Sequence, residues 1–146
     1  MKKLLALVLA AVLVFGMMSV TAAADSKVTI NLWSFTDELQ GMMNKYLELH
    51  PELAEKYEIN STVINNDGSA YVNALESALM NGEVDIYGAE ADYVFKYSQG
   101  EASEYAVPYV DLGIDVEGGI AAAEIAPYTV DIGTRPSDDQ VVALAY

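Results

Sequence analysis

Residues 28–64 read VTINLWSFTDELQGMMNKYLELHPELAEKYEINSTVI and contain the main signals for the fold. Apolar and polar residues alternate over 28–33 and again over 57–64, which predicts two β-strands. Between them, apolar side chains recur every three or four residues, which predicts one amphipathic helix. Its predicted apolar face consists of Leu39, Met42, Met43, Tyr46, Leu47 and His50. A strand, a helix and a second strand in this order predict a βαβ unit with parallel strands.

The same alternation continues after residue 64. A second helix is predicted after the turn at 65–68, and a short strand over 84–87 and a helical stretch over 93–98 follow it. The predicted inner face of the second helix consists of Tyr71, Val72, Leu75, Ala78 and Leu79. We expect Thr36 and Ser69 to cap the first two helices, and residues 140–146 to form a last strand. The fold class is therefore predicted as α/β, with a mainly parallel sheet flanked by helices.

The first 24 residues have the three parts of a secretory signal peptide. Two lysines follow Met1, an apolar run covers 4–15, and small residues occupy 21–24. The apolar run is shorter than the roughly 20 residues that a membrane-spanning helix needs. Cleavage after Ala24 would leave residues 25–146 as a secreted, extracytoplasmic chain, without a cysteine to receive a lipid anchor.

Composition excludes several classes of function. The chain has 22 Asp and Glu against 7 Lys and Arg, a formal net charge of −15, and no cysteine. Disulfides, thiolate metal sites and catalytic thiols are therefore excluded, and nucleic acid would be repelled. The single histidine, His50, argues against histidine-based metal or catalytic sites. No phosphate-binding glycine loop or serine nucleophile elbow is present. We therefore predict no metal site and no cofactor.

Ligands of parallel α/β sheets bind beyond the carboxyl ends of the strands. The predicted site residues that follow the three strands are Ser34 and Phe35, then Asn66 and Asp67, then Glu90 and Asp92. A carboxylate accepts two hydroxyl hydrogen bonds at once, which suits a sugar or another polyol. Two alternatives remain open: Asp92 caps the following helix and Glu90 is only solvated. Burial in the core is favoured for Trp33, and a position in the ligand crevice for Phe35.

Several short motifs occur together in a recognisable order. A strand ends in Trp33-Ser34, a helix ends in the Tyr46–Pro51 segment, and Asn-Gly-Glu occupies 81–83. The strand and loop at 84–93 and the closing segment at 138–146 complete the series. This pattern resembles the N-terminal part of an extracellular solute-binding protein of an ABC transporter. The resemblance is to the carbohydrate-binding type that includes maltose-binding protein.

The resemblance implies a periplasmic-binding-protein-like (type II) fold of two lobes. Residues 25–146 would be the N-terminal portion of the first lobe, with the second lobe and the hinge absent from this chain. By position, Asp92 matches a loop aspartate that binds sugar hydroxyls, and Glu90 lies beside it. Ser34 and Phe35 match the loop after the first strand, and Asn66 and Asp67 occupy the loop after the second. Val84 departs from the family, where proline is commoner.

The resemblance implies no catalysis. It implies a monomer that binds a carbohydrate, with an oligosaccharide as the expected ligand, and delivers it to the permease subunits of an ABC transporter. A polyamine is an alternative ligand, because carboxylates also suit a cation. Two other functions remain open: a secreted carbohydrate-active enzyme, and a small secreted binding or structural domain.

Overall fold

A computed structural model of the chain describes residues 26–145, so the predicted signal peptide lies outside the described residues. The central sheet has three parallel strands in the order β2-β1-β3. They are β1 (Val28–Ser34), β2 (Tyr57–Val63) and β3 (Ile86–Tyr87). This confirms the predicted α/β architecture, with three parallel strands, for residues 28–87.

Helices connect and follow these strands. The connection from β1 to β2 contains α1 (Glu38–Leu49) and α2 (Pro51–Ala54). The connection to β3 contains α3 (Ala70–Met80), and α4 (Ala91–Ser98) follows β3. Since β2 and β3 lie on opposite sides of β1, right-handed connections place α1 and α3 on opposite faces of the sheet.

The two faces of β1 have different neighbours. Trp33 packs against a core cluster that α3 and α4 supply, whereas Leu32 and Ser34, which alternate with Trp33, are fully buried. The cluster consists of Tyr71, Val72, Leu75, Leu79, Tyr97 and Ala102. The predicted inner face of α3 is confirmed, since all five of its members are buried.

Helix α1 covers the sheet less completely than its sequence predicts. None of its residues is fully buried. Leu39, Met43 and Leu47 are partly buried and expose only a minor part of their side chains. Met42 and Tyr46 are more accessible, at 50% and 51% exposure. The apolar residues span more of the helix circumference than the contact with the sheet can cover, so part of the predicted face lies on the surface.

Two predicted helix caps are wrong. The residue before α1 is Asp37 rather than Thr36, and its side chain makes no capping hydrogen bond. Ser69 does precede α3, but its backbone is left-handed (φ 68°) and its hydroxyl does not cap the helix. A 3₁₀ turn over Asp67–Ser69 leads into α3 instead.

The last predicted strand does not join the central sheet. Residues after 98 form 3₁₀ turns at Ser103–Tyr105 and Tyr109–Leu112, then α5 (Val116–Ala122) and α6 (Pro127–Ile132). Strands β4 (Thr134–Arg135) and β5 (Gln140–Val141) then form a separate antiparallel hairpin. The turn at 136–139 brings β5 back onto β4, and Arg135 holds the Asp138 carboxylate with two guanidinium nitrogens. Within residues 26–145, no helix is long and apolar enough to cross a membrane.

Candidate functional site at the carboxyl edge of the sheet

The loops after β1, β2 and β3 leave the same edge of the sheet, because all three strands run in one direction. Backbone hydrogen bonds tie these loops together. Ile64 N–H donates to Ser34 O at 3.0 Å, and Gly88 N–H donates to Trp33 O at 2.8 Å. We call the surface formed by Ser34 to Thr36, Asn66 and Gly88 to Tyr93 the carboxyl-edge site.

The floor of the site is closely packed around Ser34. Its hydroxyl oxygen is buried and accepts a hydrogen bond from Thr36 N–H at 3.3 Å. A Cβ placed on Gly88 would lie 3.2 Å from Ser34 Oγ and 3.1 Å from Leu39 Cδ1. A side chain at position 88 would therefore push on both the floor and α1, which explains the glycine. Ser34 thus supports the floor of the site.

The phenol of Tyr71 holds two of these strand ends. Its hydroxyl lies 2.7 Å from Gly88 O and 3.2 Å from Trp33 O. The ring of Phe35 meets the ring of Tyr71 edge to face, with centroids 5.6 Å apart. Phe35 is half-buried and packs against the core cluster, as Trp33 does. The structure therefore gives Phe35 a packing contact in addition to its position at the edge.

Asn66 connects the loop after β2 to α4. Its amide Nδ2 donates to the Tyr93 hydroxyl at 3.3 Å. Its Oδ1 atom and the Thr36 hydroxyl are both buried and have no hydrogen-bond partner among residues 26–145. A buried polar atom without a partner is costly, and most such atoms in proteins are satisfied by protein, water or ligand. Two of them at one edge indicate a place where a polar ligand or water completes the hydrogen bonding.

The acidic candidates lie on the surface of the same edge. Glu90 is the residue before α4, and its backbone carbonyl accepts hydrogen bonds from Tyr93 and Val94. Asp92 lies in the first turn of α4. Both side chains are exposed, and neither caps the helix or forms an ion pair within the described part of the chain. Asp67 is exposed on the 3₁₀ turn after β2.

The structure thus brings the predicted residues of all three loops to one edge, at different depths. Sequence reasoning did not identify Thr36 or Tyr93 as site residues. Thr36 was predicted to cap the first helix. Both residues follow the end of a strand, which was the available signal for a site position. The hydrogen bond between Asn66 and Tyr93 joins residues 27 apart in sequence, so no local pattern predicts it.

No protein-family model matches this chain, and neither the curated proteins nor the solved structures contain a significant match. Within the described residues, no group of three or more histidine, aspartate or glutamate side chains is placed to hold a metal ion.

Proposed function

We propose that this chain is the ligand-binding part of the first lobe of an extracytoplasmic solute receptor. The receptor would have the periplasmic-binding-protein-like (type II) architecture, bind a carbohydrate and deliver it to an ABC permease. The parallel sheet and the order of its connections are compatible with such a lobe. The predicted export signal and the motif series at 81–93 support the same proposal.

The observation that carries the proposal is the pair of buried, unpartnered polar atoms at the carboxyl edge. Thr36 Oγ1 and Asn66 Oδ1 lie in the loops after two adjacent strands. A sugar hydroxyl can both donate and accept a hydrogen bond, so one ligand can satisfy a hydroxyl and an amide oxygen together. The exposed carboxylates of Glu90 and Asp92 add acceptors at the rim, and Tyr93 adds an aromatic ring.

The test uses the one tryptophan of the chain as its reporter. Trp33 lies next to the site, since its backbone carbonyl accepts a hydrogen bond from Gly88 N–H. The secreted chain is titrated with malto-, xylo-, cello- and galacto-oligosaccharides, and separately with spermidine, while tryptophan fluorescence is recorded. We expect a saturable change with an oligosaccharide and no release of reducing ends. A saturable change with spermidine, and with none of the sugars, would indicate that the ligand is a polyamine and not a carbohydrate.

The sharpest variant is Thr36→Val. It removes a buried hydroxyl that has no hydrogen-bond partner among residues 26–145, so the free energy of unfolding should stay the same or rise. Sugar binding should nevertheless weaken, by about 1 kcal/mol or more, because the ligand loses a hydrogen-bond partner.

Ser61→Ala is the matched control, since Ser61 Oγ is also buried and has no hydrogen-bond partner in the described part of the chain, but lies within β2 rather than in a loop of the carboxyl edge. It should change stability in the same sense and leave sugar binding unaltered. Equal loss of binding in both variants, or no saturable response to any sugar from a folded chain, would refute the proposal. Release of reducing ends would instead favour the secreted enzyme.

A further inference from the structure

The end of α3 contains the one Asn-Gly pair of the sequence, Asn81-Gly82. An asparagine loses its side-chain amide when the backbone nitrogen of the next residue attacks its Cγ atom. Glycine hinders this attack least, because it has no Cβ and its backbone reaches conformations closed to other residues. The reaction is one reason why asparagine is a thermolabile residue. The pair therefore combines the two residue types that favour the reaction.

The side chain of Asn81 is also unrestrained. Both residues of the pair are exposed, and the Asn81 amide makes no hydrogen bond among residues 26–145. Three other asparagines differ, since the amides of Asn31, Asn60 and Asn66 each donate a hydrogen bond to another side chain. Those amides must break a hydrogen bond before they can turn, whereas the Asn81 amide turns at no such cost.

The backbone around the pair is a Schellman motif that ends α3. Gly82 has φ 69°, its N–H donates to Leu79 O at 3.0 Å, and Glu83 N–H donates to Ala78 O at 2.9 Å. The attacking nitrogen of Gly82 is therefore hydrogen-bonded in the folded chain. The last turn of α3 has to open before the attack, and local opening at a helix end needs much less free energy than global unfolding.

We propose that Asn81 is a site of spontaneous deamidation in the folded protein. The Gly82 nitrogen forms a bond to Asn81 Cγ, and the side-chain nitrogen leaves as ammonia with the proton of the Gly82 amide. The product is a five-membered succinimide. One water molecule then opens either carbonyl of this ring and leaves aspartate or isoaspartate at position 81. This proposal does not depend on sugar binding at the carboxyl edge.

Both products disturb the junction between α3 and β3. They place a carboxylate at the C-terminus of a helix, where the helix dipole disfavours negative charge, and close in sequence to Glu83 and Asp85. Isoaspartate also adds a methylene group to the main chain, so the two hydrogen bonds of the Schellman motif no longer fit together. We therefore expect the aged chain to unfold at a lower urea concentration than the fresh chain.

The test follows the secreted chain during incubation at mildly alkaline pH. Trypsin releases residues 57–96 as one peptide, because Lys56 and Lys96 flank it. Mass spectrometry of this peptide should show replacement of the Asn81 amide by a carboxylate, and labelling by an isoaspartyl methyltransferase should rise in step. Both changes should be severalfold faster in urea, where the Schellman motif is lost.

Asn81→Gln is the matched control, since it keeps a neutral amide at the same exposed position but would have to close a six-membered ring. It should gain no label, and its urea midpoint should not move with age. Equal labelling of N81Q and the unaltered chain would overturn the proposal. So would an Asn81 that reacts in urea and stays intact in the folded chain, or loss of amide at Asn31, Asn60 or Asn66 instead.

Discussion

At the scale of single residues, Tyr71 links the core to the carboxyl-edge site. It is 1% exposed, and its hydroxyl lies within hydrogen-bond distance of carbonyl oxygens from β1 and from the loop after β3. The phenol therefore fixes the separation of two strand ends. Both the ring contact with Phe35 and the backbone turn at Gly88 depend on this position.

Removal of this hydroxyl should destabilise the fold. Tyr71→Phe removes the nearer donor of Gly88 O, whereas Trp33 O still accepts from Gly88 N–H, and we expect a cost of about 1–3 kcal/mol in the free energy of unfolding. Urea denaturation followed by circular dichroism measures it. Tyr128→Phe is the control, since Tyr128 is 70% exposed. Equal stability of the two variants would contradict the role assigned to the Tyr71 hydroxyl.

Asp92 should matter for the ligand and little for the fold. It is exposed and makes no ion pair within residues 26–145, so Asp92→Ala should change unfolding by no more than a helix-dipole contribution of about 0.3–1 kcal/mol. Sugar affinity should fall by about 1–3 kcal/mol, the usual effect of losing a charged hydrogen-bond partner.

Glu117→Ala is the corresponding control, because Glu117 also lies in the first turn of a helix, α5. Calorimetry of sugar binding that gave the same affinity for D92A and the unaltered chain would remove Asp92 from the site.

The depth of a site residue was harder to predict than its place in the chain. Ser34 and Asp92 both follow strands, and their order along the chain was enough to bring them to one edge. Nothing in the local sequence tells that Ser34 is fully buried and Asp92 exposed. Burial depends on what packs over each position, and that is set by contacts between distant elements.

At the scale of elements, the short length of β3 has a side-chain cause. The sequence predicts a strand over 84–87, but strand pairing covers only Ile86–Tyr87. Just before it, the Asp85 carboxylate accepts hydrogen bonds from Asn31 N–H at 2.8 Å and from Asn31 Nδ2 at 3.1 Å. Asp85 thus supplies through its side chain a hydrogen bond that a strand would supply through its backbone.

Asp85→Ala should therefore loosen the junction of β1 and β3. The backbone N–H of Asn31 loses its partner, and we expect a loss of about 1–2 kcal/mol in the free energy of unfolding. Hydrogen exchange of the Asn31 amide, compared with that of a central β1 amide, localises the effect. Glu83→Ala, at an exposed neighbouring position, should leave both measurements unchanged. Unchanged protection of Asn31 in D85A would show that the carboxylate is not its partner in solution.

Element types were predictable where a periodic pattern was long. The strands β1 and β2 and the inner face of α3 were predicted correctly, and in α3 the apolar period matches the buried side of the helix. The prediction that residues 140–146 form a last strand of the central sheet was wrong, because an apolar run does not indicate which strand it pairs with. Residues 140–141 pair with β4, a strand of two residues that no sequence pattern distinguishes from a turn.

At the scale of the whole molecule, the sequence predicts parallel strands but not their order. The arrangement β2-β1-β3 requires the second connection to pass over β1, and only packing decides this. The basic side chains are unevenly spread: no lysine, arginine or histidine occurs between Lys96 and Arg135, whereas carboxylates occur along the whole of residues 26–145.

A group of buried tyrosines connects the sheet to the C-terminal part of the chain. The rings of Tyr87 on β3 and Tyr97 on α4 have centroids 5.2 Å apart, and the Tyr87 hydroxyl donates to Tyr105 O at 3.3 Å. Burial, with a smaller contribution from the Glu76 carboxylate, raises the pKa of Tyr97 to about 12. Burial, with smaller contributions from Tyr97 and Tyr109, raises the pKa of Tyr87 further.

These raised pKa values predict a loss of stability in alkali. In the unfolded chain both phenols ionise near pH 10, whereas in the folded chain they keep their protons at higher pH. The folded state therefore binds more protons above pH 10, and its free energy of unfolding should fall between about pH 10 and 12 and be unaffected by these groups below about pH 9. Urea denaturation across this range measures the fall, and ultraviolet absorbance follows tyrosinate formation.

Tyr97→Phe should reduce the fall, and it removes a hydroxyl that has no partner in the described chain. Titration of every tyrosine near pH 10 in a chain that is still folded would contradict the burial of this group.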